Sequence, residues 1–195
     1  EVRPGRDLAL SLDLRIQYLA YRELKRAILA NRAHAGSVVV LDVDTGEVLA
    51  MVNQPAYNPN DRGQLAPADY RNRAVTDLFE PGSSIKPFIV AAGLASGRFS
   101  THSQFNTNPG FVQVADHVFR DEHNLGVVDL ATVLAKSSNV GMSKLGERMG
   151  NTLLYRALTG FGFGKPTGID LPGGSAGVVY PLNRWNKYST ESASQ

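Results

Sequence analysis

Cysteine is absent from this 195-residue chain, so neither disulfides nor thiol chemistry are open to it. That is compatible with an extracytoplasmic setting without establishing one. Long apolar runs are also missing: none approaches the roughly 20 residues a helix needs to span a bilayer, although 43% hydrophobic residues suffice for a folded core. Nor is there an excess of one charge. Lys and Arg total 20 against 18 Asp and Glu, a formal net charge of +2, too balanced for a nucleic-acid surface. The histidines, His34, His102, His117 and His123, form no metal spacing. His117 and His123 fall in a polar stretch with Asp116, Asp121 and Glu122 and read as surface residues. There is no internal repeat, and the glycine-rich turn at Pro172-Gly173-Gly174 reads as a loop, not a phosphate cradle. No cofactor and no metal are indicated. The opening Glu1-Val2-Arg3-Pro4-Gly5 is polar, so any leader or anchor is expected to lie outside these residues.

What is present divides into a helix-and-hairpin portion, expected over residues 1–55, and a mainly helical portion over 56–195. Leu8 to Leu12 reads as a short strand or extended lead, and Asp13 as the cap of a helix running to about Asn31. Ile16, Leu19, Ala20, Leu24, Ala27 and Ile28 form its apolar face. Val38 to Val43 and Glu47 to Asn53 are β-rich runs joined through Asp44-Thr45-Gly46, an antiparallel hairpin that the helix can cover. Prolines and asparagines from Gln54 to Arg73 make a long connection. Helices are expected at Ile85 to Leu94, Val127 to Lys136, Val140 to Met149 and Asn151 to Leu158. Pro87 is tolerated in a first turn, and Gly97 acts as a stop.

Two short motifs carry chemistry. Ser83 and Lys86, three residues apart at the opening of an apolar run, share one face of a helix. A lysine is no base at its ordinary pKa of about 10.4, but burial disfavours the charged form and lets it take a hydroxyl proton. A Ser-x-x-Lys spacing arises about once by chance in a chain of this size, so alone it is equally an exposed helix start. The second element, Lys136-Ser137-Ser138-Asn139, holds the sole Ser-x-Asn of the chain. Ser137 could relay a proton and the Asn139 carboxamide could hold a peptide-like substrate, while the simpler reading is a helix N-cap at Ser138 or Asn139. Arg71 and Arg73 read as salt-bridge or capping residues, and Phe161, Phe163 and Trp185 as core packing ahead of a substrate groove.

Together with their surroundings the motifs resemble the penicillin-binding transpeptidases. Tyr70-Arg71-Asn72-Arg73-Ala74-Val75-Thr76-Asp77-Leu78-Phe79-Glu80-Pro81-Gly82-Ser83 is similar to the approach to the active serine in the monofunctional, division-type members. Residues 36–51 resemble that family's first hairpin, Tyr57-Asn58-Pro59-Asn60 the loop after it, and residues 162–173 the loop beyond the second motif. The family's third motif, Lys-Ser/Thr-Gly on a strand, is not among these residues. Lys165-Pro166-Thr167-Gly168 is interrupted by proline and belongs to a loop. Tyr188 to Gln195 resembles a segment just before a family helix, so the chain reads as the N-terminal portion of one transpeptidase domain.

The resemblance implies an α+β fold of the penicillin-binding and serine β-lactamase type, here truncated, without cofactor. It implies a peptidoglycan D,D-transpeptidase with Ser83 as nucleophile, Lys86 as base, Ser137 in proton transfer and Asn139 on the substrate. The implied partners are peptidoglycan stem peptides and β-lactams, and for the full-length protein a lipid-linked glycan polymerase and division proteins. The implied location is the extracytoplasmic face of a membrane, with the anchor outside these residues. Alternatives are a β-lactam sensor, a folding-incompetent or purely structural fragment, or a serine β-lactamase. For the last, Ser137-Ser138-Asn139 stands where the Ser-Asp-Asn class has aspartate, and no Glu-x-x-Leu-Asn element is present.

Overall fold

A computed structural model describes residues 5–61, 63, 70–114 and 117–185. The expectations for Asp116 and for Tyr188 to Gln195 lie outside the described residues, as does much of the 54–73 connection. Chain contacts separate the described residues into two compact units, one from those up to Asp77 with Leu171–Ser175, the other from Leu78–Asp170 and those from Ala176 on.

In the first unit, Asp13 begins helix α1 (Leu14–Asn31), its carboxylate accepting from the Arg15 and Ile16 amides. Arg32, in the left-handed region at φ 51°, closes the helix by donating to the carbonyls of Ile28 and Leu29. Strands β1 (Gly36–Leu41) and β2 (Val48–Gln54) pair antiparallel, Val38 opposite Val52 and Val40 opposite Ala50. Between them the Asp42 carboxylate accepts from the Asp44 and Thr45 amides, and Gly46 takes φ +76°. The helix meets the hairpin along one i, i+4 ridge, Ile16, Ala20, Leu24 and Ile28, each partly buried. Leu19 and Ala27, expected on that face, are exposed, because the crossing ridge leaves them to either side. A Cβ on Gly36 would lie 2.9 Å from Ile28 Cδ1, so glycine sets how closely helix and strand approach.

No ladder forms at Leu8–Leu12. Instead the edge of β2 is satisfied by single groups: Asp13 N–H donates to the Leu49 carbonyl, and the Gln17 amide both donates to the Met51 carbonyl and accepts from its N–H. A short helix α2 (Arg73–Thr76) follows, and Arg71 and Arg73 both pair with Asp77, at 2.7 and 3.3 Å.

In the second unit a 3-10 turn, Gly82–Ile85, leads into α3 (Lys86–Ala95), with Pro87 in the first turn and Gly97 past the end at φ +69°. The 98–126 region, for which no helix or strand is expected from sequence, contains three strands: β3 (Gln104–Asn106), β4 (Phe111–Val114) and β5 (His117–Arg120). β4 and β5 form a hairpin, and β3 pairs with β6 (Val127–Asp129), Phe105 opposite Val128. The helix expected from Val127 is therefore corrected to β6 followed by α4 (Leu130–Ala135). Val127 and Val128 gain strand pairing, and Asp129 caps α4 by accepting from Thr132 N–H. Helices α5 (Asn139–Met149) and α6 (Asn151–Gly160) complete the unit. Its core joins Ile85 and Ile89 of the nucleophile segment to Phe105, Leu130, Val133, Met142 and Leu145.

Helices α4 and α5 touch at Gly141, where a Cβ would lie 2.6 and 2.7 Å from the two Val133 methyl groups. Val133 is fully buried and β-branched, so it cannot swing aside. Gly141→Ala is expected to destabilise the chain by about 1–3 kcal/mol, despite alanine's better helix propensity. The readout is a lower urea midpoint at unchanged slope; a midpoint equal to or above wild type would mean the two helices separate without cost.

Candidate active site

Ser83 lies within the 3-10 turn, not in the α-helix proper, and Lys86 is the first residue of α3. In a 3-10 turn residues i and i+3 eclipse, so the two side chains leave on the same side more strictly than helical spacing alone requires. Gly82, at φ +55°, makes the entry to this turn possible. The pair differ sharply in environment: Ser83 is exposed, whereas Lys86 is 1% exposed.

The Lys86 ammonium position is defined by the 137–139 turn. Nζ donates to the Ser137 carbonyl at 2.7 Å and to Asn139 Oδ1 at 2.7 Å, and lies 3.0 Å from Ser137 Oγ. Burial pushes the Lys86 pKa below the ordinary lysine value of 10.5, partly opposed by the negative charge of Asp121. Among the described residues no hydrogen bond joins the Ser83 hydroxyl to Lys86. Ser83 and the two residues that hold Lys86 nevertheless meet one space, since Ser83, Ser137 and Asn139 line a cavity of about 370 Å³ together with Asp121, His123 and Lys136.

The turn itself is unusual. Ser137 takes φ +52°, one of two non-glycine residues with positive φ among the described residues. Ser138, 2% exposed, caps α5 by accepting from Gly141 N–H at 2.8 Å and donates to Asp121 Oδ2 at 2.6 Å. Asn139 is held at both ends of its amide, Oδ1 accepting from Lys86 and Nδ2 donating to the Arg120 carbonyl at 2.8 Å. That assignment leaves one N–H and one lone pair of the carboxamide for a bound peptide.

All four residues singled out in the sequence, Ser83, Lys86, Ser137 and Asn139, are thus brought together. Sequence reasoning missed Asp121 and the Arg120 carbonyl, because their relevance depends on β5 ending beside α5. Phe161, Phe163 and Trp185 do not line the cavity: Phe88 of α3 meets the rings of Phe161 and Phe163 edge-on, and Phe163 and Trp185 pack against the core. His117 belongs to β5 and packs edge-on against Phe119, whereas His123 reaches the cavity rim. Among the described residues no cluster of three or more His, Cys, Asp or Glu is arranged to hold a metal.

An exposed hydroxyl beside a buried amine, with the amine locked to a second hydroxyl and a carboxamide, can capture an acyl group and pass protons. Residues 36–195 match the penicillin binding protein transpeptidase domain family. The chain is 42% identical over 192 residues to the probable peptidoglycan D,D-transpeptidase PbpC of Pseudomonas aeruginosa, covering 98% of this chain and 34% of that protein. It is 44% identical over 181 residues to the probable peptidoglycan D,D-transpeptidase PenA of Neisseria gonorrhoeae, covering 93% and 31%. With peptidoglycan D,D-transpeptidase FtsI of Escherichia coli the identity is 43% over 180 residues, 92% of this chain and 30% of that one. Among solved structures, the transpeptidase domain of penicillin-binding protein 3 from Burkholderia pseudomallei superposes with a TM-score of 0.83 at 34% identity, covering 98% of this chain and 54% of that one. A peptidoglycan glycosyltransferase from Burkholderia ambifaria gives 0.84 at 35% identity, covering 95% and 55%. The chain spans about a third of the length of the curated relatives it matches. It has their α+β fold, and it belongs to the penicillin-binding protein transpeptidase domain family.

Proposed function

We propose that this chain carries the nucleophile end of a serine D,D-transpeptidase that cross-links peptidoglycan stem peptides. The observation that carries the reading is Lys86: a buried amine three residues after an exposed serine, fastened to Ser137 and Asn139 at the edge of the same cavity. Neutral Lys86 takes the Ser83 hydroxyl proton as Oγ attacks the carbonyl of the penultimate D-alanine. The C–N bond to terminal D-alanine then breaks, and the leaving amine receives a proton through the Ser137 hydroxyl, which lies 3.0 Å from Nζ. A side-chain amine of a second stem attacks the acyl-serine and gives a proton to Lys86, which passes it to Ser83 Oγ as the ester C–O bond breaks.

The free N–H and lone pair of Asn139 hold the acyl-side amide. The Ser83 backbone N–H supplies one oxyanion donor, and the strand bearing the family's Lys-Ser/Thr-Gly motif, outside these residues, supplies the other. A β-lactam enters by the same attack. The adduct is expected to persist, since these residues carry no Glu-x-x-Leu-Asn element of the kind that activates a hydrolytic water in the β-lactamases. On this reading the protein works at the extracytoplasmic face of a membrane with a lipid-linked glycan polymerase and division proteins, as the family resemblance implies. Among the described residues no helix is long and apolar enough to cross a membrane.

A fluorescent penicillin followed by denaturing electrophoresis tests the reading. The intact protein that carries this chain is expected to keep the label, and Ser83→Ala to lose it entirely. Rapid turnover of the label would make the protein a β-lactamase. No label, or label surviving Ser83→Ala, would overturn the assignment of the nucleophile.

A further inference from the structure

The bonds that shape the 137–140 turn converge on the end of β5. Asp121 Oδ2 accepts from the buried Ser138 hydroxyl at 2.6 Å, Asp121 Oδ1 accepts from Val140 N–H at 3.0 Å, and the neighbouring Arg120 carbonyl accepts from Asn139 Nδ2 at 2.8 Å. These ties add to the bonds that end α4, where left-handed Ser137 donates its N–H to the Leu134 carbonyl at 3.0 Å and Ser138 N–H donates to the Val133 carbonyl at 2.9 Å. The backbone bonds stop the helix, and the Asp121 carboxylate holds the Ser138 side chain and the start of α5 beyond that stop. The left-handed conformation brings both the carbonyl and the hydroxyl of Ser137 to Lys86.

We propose that Asp121 is a positioning residue for acyl transfer, its carboxylate clamping Ser138 and Val140 so that Ser137 and Asn139 stay fastened to Lys86. Among the described residues its carboxylate makes no hydrogen bond to Ser83 or to the Asn139 amide. A carboxylate is suited to this place because it has acceptor sites for both bonds at once and no proton to set against either donor. The inference rests on the reading of Lys86 as the base.

The clamp brings a charge with it. The charged and titratable groups around the cavity are Asp121, Glu122 and His123 after β5 and Lys136 after α4. Of these, Asp121 acts on Lys86 in the direction that keeps the ammonium protonated. Removing its charge therefore does two separable things: it loosens the turn, lowering the rate, and it lets Lys86 lose its proton at lower pH.

The experiment measures acylation by the fluorescent penicillin against pH in the intact protein. Asp121→Asn is expected to lower the plateau rate by roughly 10²-fold, the size of loss that follows when reacting groups are misplaced by about an ångström. It should also move the ascending limb to lower pH, because the charge that favours the ammonium is gone. Ser138→Ala keeps the carboxylate and removes one of its bonds, so it should lower the plateau by about tenfold or more, with the limb where wild type has it. Wild-type rates in Asp121→Asn, or a rate loss with the limb unmoved, would overturn the proposal. Should Asp121→Asn not fold, Ser138→Ala decides by rate alone: a tenfold loss supports the clamp and a wild-type rate overturns it. A wild-type protein that takes no label would overturn the proposed function and this inference with it.

Discussion

Lys86→Met is expected to slow acylation of Ser83 by roughly 10³-fold while leaving the chain folded, the size of effect that general-base removal produces. Methionine matches the unbranched shape of the lysine stem and fills the same buried space. What disappears is the amine. Lys86→Arg separates charge from basicity, because a guanidinium keeps the positive charge but does not give up its proton near neutral pH. Arginine should therefore fail to restore the rate, and its planar fork does not fit three acceptors arranged around a single nitrogen. The check is the second-order rate of labelling by a fluorescent penicillin, with circular dichroism confirming the fold. Acylation by Lys86→Met within tenfold of wild type would remove Lys86 from the mechanism. In the unsubstituted protein the rate should rise with pH. Burial lowers the Lys86 pKa from the ordinary 10.5, so the neutral, basic form is populated at lower pH than for an exposed lysine.

Phe105→Ala should produce the largest loss of stability. Its ring is wholly buried in the core that also holds Ile85 and Ile89 beside the nucleophile turn, and the Arg148 guanidinium lies 4.5 Å over its centre. Truncation leaves a cavity in a close-packed core that also holds Ile89, Leu130, Val133 and Leu145. A cost of about 3–5 kcal/mol follows, equivalent to a fall of roughly 10 °C in Tm for a chain of this size. Phe105→Leu retains most of the volume and should cost less than half as much. Thermal and urea unfolding measure both. A Tm for Phe105→Ala within about 2 °C of wild type would mean the core collapses around the gap.

Of the site, the sequence carried the chemical types and their local spacing. Ser83 and Lys86 are close because they are three residues apart in one turn. Ser138 was legible as an N-cap because capping needs only the next three residues. The strands β3, β4 and β5 were not legible. Each is three or four residues long, too short for an alternating pattern to stand out, and each owes its existence to a partner strand. Asp121 was hidden for the same reason, being unremarkable until β5 ends next to α5.

Determined by the amino-acid order alone were the features whose causes lie within a turn or two: the Asp13 cap and helix α1, the Asp42-to-Gly46 reversal, the Ser83–Lys86 pair, and the break between α4 and α5. Decided only by the tertiary structure were the partners of Lys86, which lie 51 and 53 residues along the chain, the grip of Asp121 on Ser138 across 17, and the Gln17 amide on Met51 across 34. The physical reason is range. Capping and turn bonds form within a few residues and are written in short patterns. A buried amine acquires its partners, and with them its lowered pKa, only after distant segments have closed their loops and packed.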